Sequence, residues 1–425
     1  MPASETQRAI EAVWRIESAR LIAGLARIVG DLGLAEDLAQ DALVIALERW
    51  PETGLPRKPG AWLMATAKHR AIDRIRRNVL AERTQAALGR DLEIQQDLAA
   101  AASDGAPATA AADDIGDDLL RLIFTACHPV LSTDARVALT LRLLGGLTTA
   151  EIARACLVPE PTIAQRIVRA KRTLTEARVA FEVPDGAERA ARLASVLEVI
   201  YLIFNEGYAA TAGDDWVRPA LCEDALRLGR ILAELMPAEA EVHGLVALLE
   251  LQASRLRARV SPAGQPIRLN EQNRARWDQL LIRRGLAALA RAEALGGEFG
   301  PYALQAAIAA CHARARTPAE TDWTRIAALY DALAQRAPSP VVELNRAVAL
   351  AMAYGPAVGL EIVDALTDEP ALRHYHLLPA VRGDLLARLG RLAEARAEFE
   401  RAAALTHNTA ERALLLERAR ALGQL

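Results

Sequence analysis

LGGLTTAEIARACLVPEPTIAQRIVRAKRTL, residues 144 to 174, is the stretch from which the rest of the chain can be read. Thr148 is followed three residues later by Glu151. At that spacing hydroxyl and carboxylate each reach the other residue's backbone N–H, so a helix starts there. It should run through Ile152 and Ala153 to about Cys156, with Leu157 and Val158 making a turn. Pro159 to Pro161 open the next helix, where a missing N–H costs little. In that second helix Ile163, Ile167, Ala170 and Leu174 share one face, while Thr162, Gln165, Arg166 and Arg169 share the opposite one. A buried stripe backed by hydroxyl, amide and guanidinium groups suits a recognition helix, because those groups pair with base edges and phosphates. Lys171 and Arg172 extend the phosphate-binding flank. A surface helix with merely solvated arginines would lack the capping box and the short turn. The motif says DNA reader; it does not by itself say repressor, activator or initiation factor.

Outward from this motif, the 425 residues are more than one hydrophobic core usually serves, and two to four domains are expected. The chain is 52% hydrophobic but only 4% aromatic, and it is rich in Ala, Leu and Arg, a profile of packed helices. A net charge of −3 argues against a general nucleic-acid coat. The average conceals a division. Residues 121–178 hold nine Lys or Arg against four acids, whereas residues 82–118 hold nine acids against Arg83 and Arg90. Four cysteines, Cys127, Cys156, Cys222 and Cys311, lie far apart and read as buried thiols, with neither a disulfide framework nor a zinc site expected. The charged N-terminus has no apolar signal core, and the apolar stretch from Leu193 to Phe204 is too short to span a bilayer. A cytoplasmic protein with no membrane partner is expected.

Helical periodicity runs through almost the whole chain, so boundaries come from its breaks. Residues 1–83 give about three helices, interrupted at Asp31 to Gly33 and at Pro51 to Pro59. Residues 84–117, with AAAASDGAPATAAADD at their centre, read as a flexible acidic linker. Residues 118–181 form the compact module around the opening motif. Residues 182–298 are a helical extension, and 299–425 carry weak repeats at tetratricopeptide-like offsets. Gly383, Leu386, Ala395, Phe399 and Ala402 mark one helix pair, Ala347 and Val363 another, and a third ends at Ala337-Pro338. Such pairs stack because one alone cannot bury its apolar face; an irregular helical bundle is the alternative. Both make the fold all-α.

Two N-terminal helices narrow the class. DLGLAEDLAQDALVIALERW, residues 31 to 50, is amphipathic, with Leu34, Leu38, Ala42 and Ile45 on or near the inward stripe. Asp37 and Asp41 sit one turn apart on its polar side, an acidic spot able to dock arginines of a partner, or simply solvated. GAWLMATAKHRAIDRIRR, residues 60 to 77, buries Leu63, Ala67, Ala71 and Ile75 and lines up Arg70, Arg74 and Arg77 outside. Lys68, His69 and Arg76 add to the basic surface, and Trp62 stands at the start. A basic helix with an aromatic at its end can grip phosphates and stack on an unpaired base; core packing of Trp62 is the competing explanation.

In this order the modules resemble the extracytoplasmic-function branch of the sigma-70 family. AEDLAQDAL is similar to region 2.2, AWLMATAKHRAIDRIRR to regions 2.3 and 2.4, and the helix-turn-helix to region 4.2. The resemblance implies that Asp37, Gln40 and Asp41 dock on the β′ clamp helices of core RNA polymerase, and it makes the β flap a second contact. It implies that Trp62, Lys68, His69, Arg70, Arg74, Arg76 and Arg77 engage the promoter −10 element. Thr162, Gln165, Arg166, Arg169, Lys171 and Arg172 would read the −35 element. His69 stands where many members carry Asn, so no exact base preference carries over. IYLIFNEGYAAT, residues 200 to 211, resembles the subgroup with a long tetratricopeptide-like C-terminal extension. The implied fold is two small helical sigma domains joined by a linker and followed by that extension. The acidic linker is read as a possible strand mimic for the polymerase's basic channels, or as a solvated tether.

The extension is open to two readings, a regulator that binds a protein or peptide, or an enzyme-like or ligand-binding domain. Asn205-Glu206-Gly207-Tyr208 with Asp214-Asp215-Trp216, and His374-Tyr375-His376, gather polar groups. Neither has a nucleophile–base–orienter set or metal spacing, so helix capping or a satisfied buried network is the better reading, and neither enzyme activity nor a cofactor is expected. The rival for the whole chain is a helix-turn-helix regulator with a helical sensor domain and no polymerase-directed role.

Overall fold

The computed structural model describes residues 3–81, 108–156, 158–262, 264–297 and 299–423. It divides into two compact units, Met1–Val199 and Ile200–Leu425, with the division inside one helix, Gly186–Tyr208. Residues 84–107 of the expected acidic linker lie outside the described residues.

In the first unit α1 (Ala3–Val29), α2 (Leu32–Thr53) and α3 (Pro59–Ala81) pack together. Asp31 caps α2, its carboxylate accepting the Leu34 N–H at 2.6 Å. Pro51 does not end α2, as its place in the sequence suggests; the helix continues to Thr53 and stops at Gly54, whose φ of 81° suits glycine. The inward stripe of α2 is centred on Ala35, Leu38, Ala39, Ala42, Ala46 and Trp50, leaving Leu34 and Ile45 half-buried at its margins. Small alanines there let α2 lie close against α1 and α3.

α4 (Ala108–Ala126) begins inside the stretch read as linker, then α5 (Thr133–Leu143), α6 (Thr149–Cys156) and α7 (Glu160–Glu176) complete the second module. Ser132 caps α5, accepting the Ala135 N–H at 3.4 Å. α4 packs on α1, so the two modules meet within this unit. The loop before α6 turns at Gly146, where φ is 70° and a Cβ would stand 2.9 Å from Ser18 Oγ of α1. Glycine is required there on both counts. α8 (Gly186–Tyr208) begins in this unit, where Arg192 donates to the Phe124 carbonyl and Ser195 to the Cys127 carbonyl.

The second unit begins with the last turns of α8 and continues with a two-residue strand, β1 (Ala212–Gly213), then α9 (Pro219–Leu235), α10 (Ala240–Ala253), α11 (Gln279–Ala294) and α12 (Pro301–Arg314). α10 is buried nearly all round, as its run of Val242, Leu245, Val246, Leu248, Leu249 and Leu251 demands. α13 (Trp323–Arg336), α14 (Pro340–Tyr354), α15 (Pro356–Ala365), α16 (Leu377–Arg388) and α17 (Leu392–Leu405) follow as packed neighbours. The expected repeat positions form their contacts. Gly383 admits Phe399 at 3.0 Å from where a Cβ would be, and Ala347, Val363, Leu386, Ala395 and Ala402 are buried. The helical, tetratricopeptide-like character of the extension is thus built from these small-against-large contacts.

β2 (His407–Asn408) pairs in parallel with β1, and α18 (Thr409–Ala421) ends the unit. Asn408 is fully buried and donates its amide to the carbonyls of Ala210 and Asp215 at 3.2 and 2.8 Å. Its Oδ1 also accepts the Glu411 N–H at 3.1 Å, so one side chain caps the last helix and ties it to the unit's first loop. No helix among the described residues is long and apolar enough to cross a membrane.

Candidate nucleic-acid and polymerase interfaces

The helix-turn-helix forms as its capping residues require. The Thr148 N–H donates to Glu151 Oε2 at 2.8 Å and the Glu151 N–H donates to Thr148 Oγ1 at 3.2 Å. Burial raises the Glu151 carboxyl, but the bonds from Thr148 and the nearby Arg15 guanidinium, 3.0 Å away, outweigh it and hold the group below its ordinary value. α7 starts after Pro159 with Pro161 in its first turn. Ile163, Ile167, Ala170 and Leu174 are buried, as the periodicity predicts.

Thr162, Gln165 and Arg169 are exposed on the other side of α7. With Ser132, Asp134 and Thr173 they line a shallow groove of about 380 Å³ that also takes in Arg166. Arg166 is half-buried, 3.0 Å from the exposed Asp134 carboxylate. Arg172 is exposed and paired with Glu176 one turn on, at 2.6 Å. Lys171 differs from its neighbours, for its ammonium lies on Glu36 of α2.

Glu36 is a site residue the sequence reading missed. It is only 3% exposed, it accepts from Arg142 of α5 at 2.6 Å, and it holds Lys171 of α7. Burial raises its carboxyl, but Lys171 and Arg142 together pull it below the ordinary carboxylate range. Arg27 and Asp118, 2.9 Å apart, and Arg15 and Glu151 complete the polar contact between the modules. The signal for Glu36 lay in its neighbours, since a carboxylate beside Ala35 and Ala39 of a buried stripe needs a cation. Which cation it takes depends on which helices meet.

On α2 the structure separates the three expected polymerase-docking residues. Asp37 and Asp41 are exposed one turn apart. Gln40 is half-buried and donates to Glu36 Oε1 at 2.7 Å, so its amide serves the contact between the modules. Val44, 52% exposed, continues the Asp37–Asp41 row at helical spacing and was not singled out from sequence.

On α3, His69, Arg70 and Arg74 are exposed, and Lys68 is half-buried. Its ammonium is pushed down, first by burial and then by the Arg27 charge. The side chains of Arg76 and Arg77 lie outside the described residues. Trp62 packs within the module. It is half-buried, and its ring meets the buried Trp50 edge-on with centroids 5.2 Å apart.

The polar motifs of the extension resolve into structural networks. Glu206 holds Arg218 and accepts from Thr211 at 2.9 Å, and a Cβ at Gly207 would stand 2.7 Å from the Cys222 N–H nitrogen. His376 contacts Glu411 at 2.9 Å. Among the described residues no group of His, Cys, Asp and Glu is arranged to hold a metal. Cys127, Cys222 and Cys311 are buried free thiols, with burial pushing Cys127 up to about 11 and Cys222 up to about 12.

A helix-turn-helix with an exposed polar recognition face, tied by ion pairs to a module that carries an acidic helix and a basic, aromatic-tipped one, defines a two-module DNA-binding protein. Comparison with known families gives that class its name. Residues 16–80 match the model of sigma-70 region 2 and residues 121–174 that of sigma-70 region 4, while 192–293 match a family of unknown function, DUF6596. The ECF RNA polymerase sigma factor SigC of Mycobacterium tuberculosis is 30% identical over 146 residues, 34% of this chain and 71% of its own length. The probable ECF RNA polymerase sigma factor SigI of the same species is 30% identical over 182 residues, 42% of this chain and 59% of its own. The similarity to an uncharacterized protein of Rhizobium meliloti, R00370, spans the extension as well: 44% identity over 92% of this chain and 90% of that one. A structure of yeast Tom70 aligns over 99% of this chain and 85% of its own at 12% identity, but with a TM-score of 0.37 the overlap carries no argument. The chain belongs to the extracytoplasmic-function branch of the sigma-70 family.

Proposed function

We propose that this protein binds core RNA polymerase and directs it to specific promoters, and that its C-terminal extension regulates that activity, with a protein or peptide as its partner. Asp37 and Asp41 of α2 dock on polymerase, with Val44 beside them as an apolar contact. Trp62, Lys68, His69, Arg70, Arg74, Arg76 and Arg77 engage the −10 region. Thr162, Gln165, Arg166 and Arg169 read the −35 element, and Arg172 flanks them on phosphate. Lys171 joins them once Glu36 releases it. The polymerase makes the phosphodiester bonds, so this chain needs only binding surfaces. The observation that carries the reading is α7 itself, which buries four apolar residues and turns Thr162, Gln165 and Arg169 outward.

The test mixes the full chain with core RNA polymerase and a promoter library. Sequence-specific open complexes that require both components are the expected result. Specific DNA binding that core polymerase neither enhances nor redirects would instead make it a regulator with a sensor domain.

A further inference from the structure

One side chain of α7 is explained neither by its core nor by its polar row. Residues on a helix advance by about 100° each, so the line opposite the buried Ile163, Ile167, Ala170 and Leu174 runs close to Gln165, Val168 and Arg172. Val168 is 64% exposed, a value that no large apolar side chain among the described residues exceeds. At that exposure it contributes little to the core, and a β-branched side chain is a poorer helix former than alanine. A single exposed apolar residue is ordinary on a protein surface. This one stands at the apex of the recognition helix, and residues that local propensity does not favour gather at working surfaces.

The shoulder of α7 beside Val168 offers few hydrogen-bonding groups. Pro161 and Ala164 are exposed there. Thr175, two turns further on, donates its hydroxyl back to the Lys171 carbonyl at 3.2 Å, and the Lys171 ammonium lies on Glu36. The opposite shoulder carries Thr162, Gln165 and Arg169. The outer surface of the helix is thus divided lengthwise into an apolar row and a polar one.

The major groove has a counterpart for each row. All four bases present donors or acceptors there, and thymine alone adds an apolar group, its C5-methyl. We propose that Val168, with Ala164 one turn before it, reads the C5-methyl of thymine in the upstream promoter element and so helps to set promoter specificity. The inference rests on the reading of α7 as the helix that enters the −35 element, and it is continuous with the polar row on that helix. The isopropyl group selects by penalty as well as by attraction. A cytosine amino group set against it would lose a hydrogen bond to water, whereas a methyl loses nothing.

The test uses the full chain with core RNA polymerase. Upstream sequences are selected from a randomised duplex library, and each thymine of the preferred sequence is replaced in turn by deoxyuridine, which lacks only the methyl. At one position or more the wild type should bind the uracil duplex about fourfold more weakly, the effect of one buried methyl group. Val168→Ala, at an exposed site where alanine favours the helix, should bind the thymine duplex more weakly by about the same factor and lose the preference for thymine over uracil. Arg172→Ala, stripped of a phosphate contact, should weaken both duplexes alike and keep the ratio. A wild type indifferent to uracil at every position overturns the proposal and leaves promoter reading intact. So does a thymine preference that survives in Val168→Ala, because the methyl is then met by another residue. A loss in Val168→Ala that is already present in binding to core polymerase without DNA places the side chain on a protein instead, and also overturns it. If no upstream sequence is selected at all, the promoter reading falls and this inference falls with it.

Discussion

Two sets of arginines, one in each unit, are placed in opposite ways. In the first, Arg142 and Arg27 reach carboxylates on a different module, and Arg169 faces solvent. In the second, Arg255, Arg259 and Arg274 lie against aromatic rings with no carboxylate ion pair among the described residues. An ion pair between modules can exchange its carboxylate for a phosphate, so the same cation can serve packing and then DNA. A guanidinium walled in by Tyr208 and Trp277 can change its partner only if an anion comes to it. Charge at the contact between the modules is therefore available to a macromolecule, whereas charge packed against these rings is not.

The sharpest way to break the comparison is to damage one unit and read the other. Phe399→Ala removes a side chain that is 1% exposed and packs on Gly383, and should cost the second unit about 3–5 kcal/mol. If the units are independent in function, polymerase-dependent promoter binding survives; its loss, with the first unit still folded by hydrogen exchange, would make the extension a required arm.

Glu36→Gln tests the exchangeable pairing. Removing the charge held by Arg142 and Lys171 should loosen the contact between the modules by about 1–3 kcal/mol, measured as faster hydrogen exchange in α5 and α7. Promoter affinity should rise, because Lys171 is released; an unchanged or lower affinity would show that the contact does not compete with DNA. The pH dependence has a definite sign. The folded carboxyl lies below its ordinary value, so its contribution is complete above the usual carboxylate range and is lost as pH falls through the lowered value. The wild-type contact should open in that acid window, and Glu36→Gln should show no such transition.

The smallest expected effect sharpens the DNA side. Arg166→Ala should lower promoter affinity by about 1–3 kcal/mol if the guanidinium leaves Asp134 for a base edge. A uniform loss across all sequences would assign it to phosphate instead, and no loss at all would leave it as the partner of Asp134.

Much of the first unit was legible in the chain. Thr148 with Glu151, Pro159 to Pro161 and the spacing of Ile163, Ile167, Ala170 and Leu174 are local signals, and each acts within a turn or two of helix. The repeat positions around Gly383 and Phe399 were readable for the same reason. The tie of Gln40 and Lys171 to Glu36 was not legible, because it belongs to a contact between helices far apart in sequence. Pro51 was read as a break, yet α2 carries on past it to Thr53.

Sequence alone determined the helices, their buried faces and the pairing of a promoter-type recognition helix with a basic, aromatic-tipped one. Those properties follow from periodicity, capping and side-chain chemistry, which act over a few residues. Only the tertiary structure decided where the charges go. Glu36 became a hub because α5 and α7 bring cations to it, and Asn408 became a tie because β2 lies beside β1. Arg255 and Arg259 stand without a carboxylate partner among the described residues because the elements around them bring rings instead. Electrostatic partners are fixed by distance in space, and in this protein those distances are set between elements that the sequence keeps far apart.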